Sequence, residues 1–136
     1  MTVNDNELNK IKEKMMSEMM NPNPDANGEV KVLTSDTLQE FISKNKYAIV
    51  DFYATWCPPC KIMDPITREI AETYKDKAAF AKINTDQNNA AAAQYQIRYI
   101  PTFYLFKEGK IVTNFSGARK KKDFIELIEK LIKEKS

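Results

Sequence analysis

A chain of 136 residues, 43% apolar and 29% charged, has room for one core and the make-up of an ordinary globular domain, which excludes a disordered chain. Lys and Arg number 21 against 19 acids, a net charge of +2 too mild for a nucleic-acid binder, and the apolar runs are strand-sized, far short of the roughly 20 residues of a membrane span. There is no histidine, which removes the commonest general base, the commonest transition-metal ligand and every Ser-His or Cys-His nucleophile, so chemistry here must run on thiols, carboxylates or lysine.

The opening Met1-Thr2-Val3-Asn4-Asp5 lacks the basic start and apolar stretch of a secretory signal, and a cytoplasmic protein is expected. Residues 4–20 carry Leu8, Ile11, Met15, Met16, Met19 and Met20 at helical spacing, with Asn4 and Glu7 placed as a capping box, and predict an amphipathic helix. Two prolines, a glycine and several turn formers between Asn21 and Gly28 break that helix, so residues 1–28 read as an appendage with its linker and 29–136 as the domain. Within the domain, 29–33 reads as a strand and 35–44 as a helix capped near Ser35, with Leu38, Phe41 and Ile42 on one face. The apolar, β-branched and aromatic run 47–53 predicts a strand buried on both faces, holding one acid, Asp51. A long helix follows the cysteines on the strength of Ile62, Met63, Ile66, Ile70, Ala71 and Tyr74, with a kink expected at Pro65. Then come a strand at 78–84, a short alanine-rich helix at 88–95 and strands at 102–106 and 111–116 around the turn Lys107-Glu108-Gly109-Lys110. A last helix at 121–135 is apolar at Phe124, Leu127, Ile128, Leu131 and Ile132. The order βαβαβαββα implies an α/β fold in which a mixed sheet carries helices on both faces.

Cys57 and Cys60 are the only cysteines, placed where a buried strand ends and a helix begins. A stabilising staple is a poor account of them, because a four-residue loop gives roughly 2 kcal/mol against about 4.7 for a 100-residue loop. Structural zinc wants four Cys or His ligands and finds two. Redox chemistry needs one thiol at a helix N-terminus and a second in reach to close a disulfide, which is what the segment offers. Free N–H groups at the helix start favour a Cys57 thiolate, making Cys57 the nucleophile, while Cys60, one turn in and expected to be better shielded, resolves the mixed disulfide.

The stretch Val50-Asp51-Phe52-Tyr53-Ala54-Thr55-Trp56-Cys57-Pro58-Pro59-Cys60-Lys61 resembles the active-site segment of the thioredoxin family. Pro65 falls at that family's kinking proline, Lys82-Ile83-Asn84-Thr85-Asp86 resembles its third-strand motif, and Ile97-Arg98-Tyr99-Ile100-Pro101-Thr102 resembles the segment with its cis-proline. Gly109 and Gly117 sit at its two glycine turns, and the likeness covers about residues 29–136. It implies the thioredoxin fold, a central mixed five-stranded sheet flanked by helices on both faces, to which this chain adds its amino-terminal helix.

By the same resemblance, Asp51 is the buried acid that exchanges a proton with Cys60, and Lys82 the lysine that tunes it. Trp56 covers the cysteines and meets substrate, Pro58 and Pro59 lie between the sulfurs, Ile100 offers its backbone to an extended substrate beside the cis bond of Pro101, and Gly117 lies on the rim. Tyr53, Tyr99 and Pro58 depart from the common residues at their positions and leave the substrate range and potential open. The implied activity is reduction of disulfide-containing protein substrates by dithiol-disulfide exchange, with a thioredoxin reductase restoring the dithiol, no bound cofactor or metal, and a monomer expected. A disulfide isomerase or oxidase, a docking module with incidental cysteines, and a dimer sharing an iron–sulfur cluster stay open as alternatives.

Overall fold

The computed structural model describes residues 4–133, the side chains of 13–20 excepted. Among the described residues the chain runs α1 (Asp5–Met20), β1 (Val30–Leu33), α2 (Ser35–Lys44), β2 (Tyr47–Tyr53), α3 (Pro58–Thr73), β3 (Ala79–Asn84), α4 (Asn89–Gln94), β4 (Thr102–Lys107), β5 (Lys110–Ser116) and α5 (Lys121–Lys133). The five strands form one sheet in the order β1-β3-β2-β4-β5, parallel across its first three members and antiparallel at β2-β4 and β4-β5. This is the mixed sheet that the alternation of elements implied.

β2 lies in the middle of the sheet, which is why its sequence is apolar in both phases. Ala48, Val50 and Phe52 enter the layer built with Leu38, Phe41 and Ile42 of α2 and Ala91 of α4. Ile49 enters the opposite layer with Met63, Ile70 and Ala71 of α3 and Phe124, Ile128 and Leu131 of α5. Successive strand residues point to opposite faces, so Asp51 shares the α3 face with Ile49. The same alternation on β3 sends Ala79, Ala81 and Ile83 to one layer and Phe80 to the other, where Lys82 follows it.

Local chemistry sets the ends of these elements. α2 is capped by Thr34, one residue before the expected position, and the Thr34 backbone N–H donates to Thr37 Oγ1 at 2.8 Å. Ser35 instead joins α2 to α4, its N–H donating to Asn88 Oδ1 at 2.8 Å and its Oγ accepting from the Ala91 N–H at 3.3 Å. The β4-β5 turn has Glu108 at φ 52 and Gly109 at φ 81, the two left-handed residues that a tight hairpin of this twist requires. α3 runs through Pro65, whose missing N–H leaves the Lys61 carbonyl without its helical donor.

Asn4 Oδ1 accepts from the Glu7 N–H at 2.8 Å and caps α1, on which Leu8 and Ile11 are exposed. The four methionines at 15, 16, 19 and 20 lie outside the described side chains, as do positions 134 and 135 of the last expected helix. Residues 22–27, part of the segment that the sequence marks as a linker, are tied into the domain. Buried Asn23 accepts the Tyr47 N–H at 2.7 Å, the Lys46 N–H donates to the Pro22 carbonyl at 2.9 Å, and Ala26 joins the α2 core layer. Asp25 and buried Asn45 exchange two hydrogen bonds, of 3.0 and 2.8 Å. Burial opposes the Asp25 carboxylate, but the Asn45 bond with Lys44 and Lys31 outweighs it and holds the group below the ordinary value.

Candidate active site

β2 ends at Tyr53 and delivers the chain through a short turn to Cys57, which caps α3 from an extended conformation (φ −90, ψ 112). Pro58 and Pro59 occupy the first two helical positions, where a proline's fixed φ fits and its lost N–H would have been unpaired in any case. The first backbone N–H available to the cap is therefore that of Cys60, which donates to Cys57 Sγ at 3.3 Å. Cys57 and Cys60 are joined as a disulfide with their Cα atoms 5.2 Å apart. Cys57 Sγ also lies 3.7 Å from the Ile100 carbonyl oxygen, to which a Cys57 thiol can donate once the bond is reduced. Cys60 is not the better-shielded sulfur residue: Cys57 is 2% exposed and Cys60 5%. Ala54, Tyr53 and Ile100 pack around the pair, so what separates the two thiols is helix position rather than exposure.

The Ile100–Pro101 peptide is cis. Around it the ends of β4 and β5 are laced together. The Gly117 N–H donates to the Pro101 carbonyl at 2.8 Å, Thr102 Oγ1 donates to the Tyr99 carbonyl, and Thr102 Oγ1 and Ser116 Oγ are 2.8 Å apart. Gly117 has φ +86 with open space where a Cβ would stand, so backbone conformation rather than crowding calls for glycine there. On the rim Trp56 is 65% and Tyr99 72% exposed. The Trp56 indole Nε1–H donates to Asp86 Oδ2 at 2.7 Å, and Asp86 is itself placed by its N–H on Asn84 Oδ1 at 2.9 Å. Asp86 is a site residue that sequence reasoning missed, although it closes the Lys82-to-Asp86 motif.

Behind the disulfide, a cleft of about 250 Å³ is lined by Asp51, Ala54, Cys60, Lys61, Asp64 and Lys82. Asp51 is 4% exposed, and its Oδ1 has no hydrogen-bond partner among the described residues. Burial pushes its carboxyl up to about 7, against the pull of Lys82 and with a further push from Asp64. Lys82 sits opposite Asp51 in the β2-β3 register, yet its Nζ lies 3.4 Å from Asp64 Oδ1 and 5.0 Å from the Tyr53 ring centroid. A larger hollow of about 670 Å³ between Pro22, Pro24 and the end of α2 holds no thiol and faces none of these groups.

Residues 29–130 match the family model described as Thioredoxin, three quarters of the chain in one continuous block. The chain belongs to the thioredoxin family. Among curated relatives it is 42% identical over 108 residues to thioredoxin Y1, chloroplastic, of Arabidopsis thaliana, a match covering 79% of this chain and 63% of the relative. The chain thus spans less than two thirds of that plant protein. To a thioredoxin of Pyropia yezoensis it is 44% identical over 94 residues, covering 69% of this chain and 88% of the relative. Among solved structures it is similar to a mutant thioredoxin from Halobacterium salinarum NRC-1, with a TM-score of 0.74 and 34% identity over 80% of this chain and 96% of that one.

The thioredoxin fold brings Cys57, Cys60 and Ile100 into one cluster and puts Asp51 and Lys82 on the cleft that reaches Cys60 from behind. Pro58 and Pro59 stand between the sulfurs, and Pro101 is bonded to the Gly117 turn. Trp56 is anchored to the loop after β3 through Asp86. No helix among the described residues is long and apolar enough to cross a membrane.

Proposed function

We propose that this domain is a thiol-disulfide oxidoreductase that reduces protein disulfides. The Cys57 thiolate attacks one sulfur of a substrate disulfide, forming a mixed disulfide and expelling the other substrate sulfur as a thiolate. Cys60, having given up its proton, attacks Cys57 Sγ, closes the internal disulfide and releases the second substrate thiolate. Two electrons pass to the substrate, and a reductase of the thioredoxin reductase class returns them with two protons. Asp51 takes the Cys60 proton through the cleft and Lys82 bears on its charge. Trp56, Tyr99, Ile100 and the Gly117 turn form the rim on which an extended substrate segment would lie.

The observation that carries this reading is Cys57 at the cap of α3, its sulfur receiving the Cys60 N–H at 3.3 Å above a buried acid. The two prolines favour a reductase over an oxidase. An oxidising couple needs a strongly stabilised thiolate, and Pro58 and Pro59 have no N–H to supply. A reducing compartment suits such a dithiol, and we place the domain in the cytoplasm as a monomer needing no bound cofactor. The test is reduction of a generic protein disulfide with electrons supplied by a reductase, alongside the potential of the Cys57–Cys60 couple. Turnover with a potential near the thioredoxin value of about −270 mV is expected. A potential near −120 mV would favour an oxidase, and no turnover at all a docking module.

A further inference from the structure

Lys82 has two acids within its reach, and the structure pairs it with the one that sequence reasoning did not name. Register places it directly across from Asp51 on the neighbouring strand, with both side chains on the α3 face. A lysine with no other partner would turn inward and fix the buried acid as a carboxylate. Asp64 competes for it. That residue follows Cys60 by one helical turn, lines the same cleft, and accepts from Lys82 Nζ at 3.4 Å through Oδ1. Its other oxygen, Oδ2, is held 3.0 Å from Arg68 Nη2 on the next turn, so two cations orient the carboxylate.

We propose that Asp64 is a positioning residue for proton transfer at this site, drawing the Lys82 ammonium to the outer wall of the cleft and away from the Asp51 carboxyl. The proposal rests on the reading of Cys57 and Cys60 as a redox pair. Desolvation decides the competition. The Asp64 and Lys82 side chains keep 36% and 27% of their exposure, so pairing them strips away little water, whereas an ion pair at Asp51 would require a charge on a group 4% exposed. The groups facing the cleft are Asp51 and Tyr53 from β2, Lys82 from β3, and Cys60, Lys61 and Asp64 from α3, with Arg68 behind Asp64. Among them Asp64 acts on Asp51 twice in the same direction. Its own negative charge disfavours a second carboxylate, and its hold on Lys82 weakens, without abolishing, the pull of the cation that would favour one. Asp51, whose Oδ1 has no partner among the described residues, is left at the rear of the disulfide with its carboxyl raised to about 7, so that near neutral pH both the acid and the carboxylate that takes the Cys60 proton are populated.

The test reads Asp51 itself in the oxidised protein of residues 1–136, where neither cysteine titrates. Carbon-13 NMR of the aspartate carboxyl groups, with Asp51 assigned by its loss in Asp51→Asn, gives the titration midpoint. In Asp64→Asn the midpoint should fall by about one pH unit or more, as Lys82 turns to the acid. Asp64→Glu, which keeps the charge and the ion pair, should hold it near the parent. Lys82→Gln should raise it, and in the Lys82→Gln background the effect of Asp64→Asn should shrink clearly. Equal midpoints in the parent and Asp64→Asn would overturn the proposal, and so would an Asp64→Asn effect that is the same with and without Lys82. Because no turnover is involved, a failure of the reductase assay would sink the proposed activity and leave this result standing.

Discussion

Asp51→Asn exchanges the buried carboxyl for a group of nearly the same shape that cannot ionise, which isolates the free energy of burying the charge. In the folded protein, burial lifts the Asp51 carboxyl from the ordinary 3.8 to about 7. As pH rises the unfolded chain therefore gives up its proton first, the folded state binds more protons between those two values, and the parent loses stability across that window. The loss is absent below about pH 3.8 and complete above about pH 7, and at about 1.4 kcal/mol per pH unit it amounts to ~4 kcal/mol. The Asn amide carries its own burial cost of about 1–3 kcal/mol, because its site offers Oδ1 no partner, but that cost does not depend on pH. The discriminating quantity is thus how the difference between variant and parent changes with pH. Urea unfolding of the two oxidised proteins should show Asp51→Asn gaining roughly 2–3 kcal/mol on the parent between about pH 5 and pH 8. A difference that stays constant over that range, or one that moves against the variant, would refute an acid held neutral by burial.

Cys60→Ser should still attack and accumulate a covalent mixed disulfide with its substrate, while Cys57→Ser should lose turnover and trap nothing; mass spectrometry after incubation with a disulfide substrate tells the two apart, and the reverse pattern would exchange their roles. Trp56 is the only tryptophan and adjoins Cys57, so its fluorescence should brighten on reduction, and identical emission from both forms would place the indole away from the sulfurs. Removing residues 1–20 should change unfolding free energy by less than about 1 kcal/mol, since α1 presents exposed residues as far as its side chains are described. Removing residues 1–28 should cost several kcal/mol, because the Tyr47 N–H and buried Asn45 lose Asn23 and Asp25, at about 1–3 kcal/mol for each group left unpaired. Chemical denaturation of the two truncations side by side measures this, and equal stabilities would mean that the 21–28 segment contributes nothing.

Much of the fold and the heart of the site were legible in the residues taken alone, because those features are written in local patterns. The doubly apolar run 47–53 can be satisfied only in the middle of a sheet, Gly109 after Glu108 suits a tight hairpin, and a Cys-Pro-Pro-Cys segment between strand and helix puts one sulfur at a helix cap. The acid in that strand and the lysine at 82 were visible as residues, and the thioredoxin likeness suggested their parts. Which acid Lys82 pairs with was not visible, since it depends on how α3 lies across β2 and β3, and periodicity reports the face a residue occupies, not the neighbour it meets there. The near-equal shielding of Cys57 and Cys60 escaped for the same reason: Ile100, which covers Cys57, arrives from a loop 43 residues away. Composition likewise marks residues 21–28 as chain that cannot be helix or strand. Only packing decides whether such chain is free in water or fastened to the domain, as Asn23 is here by the Tyr47 N–H at the start of β2, Asp25 by Asn45 at the end of α2, and Ala26 by the α2 core layer.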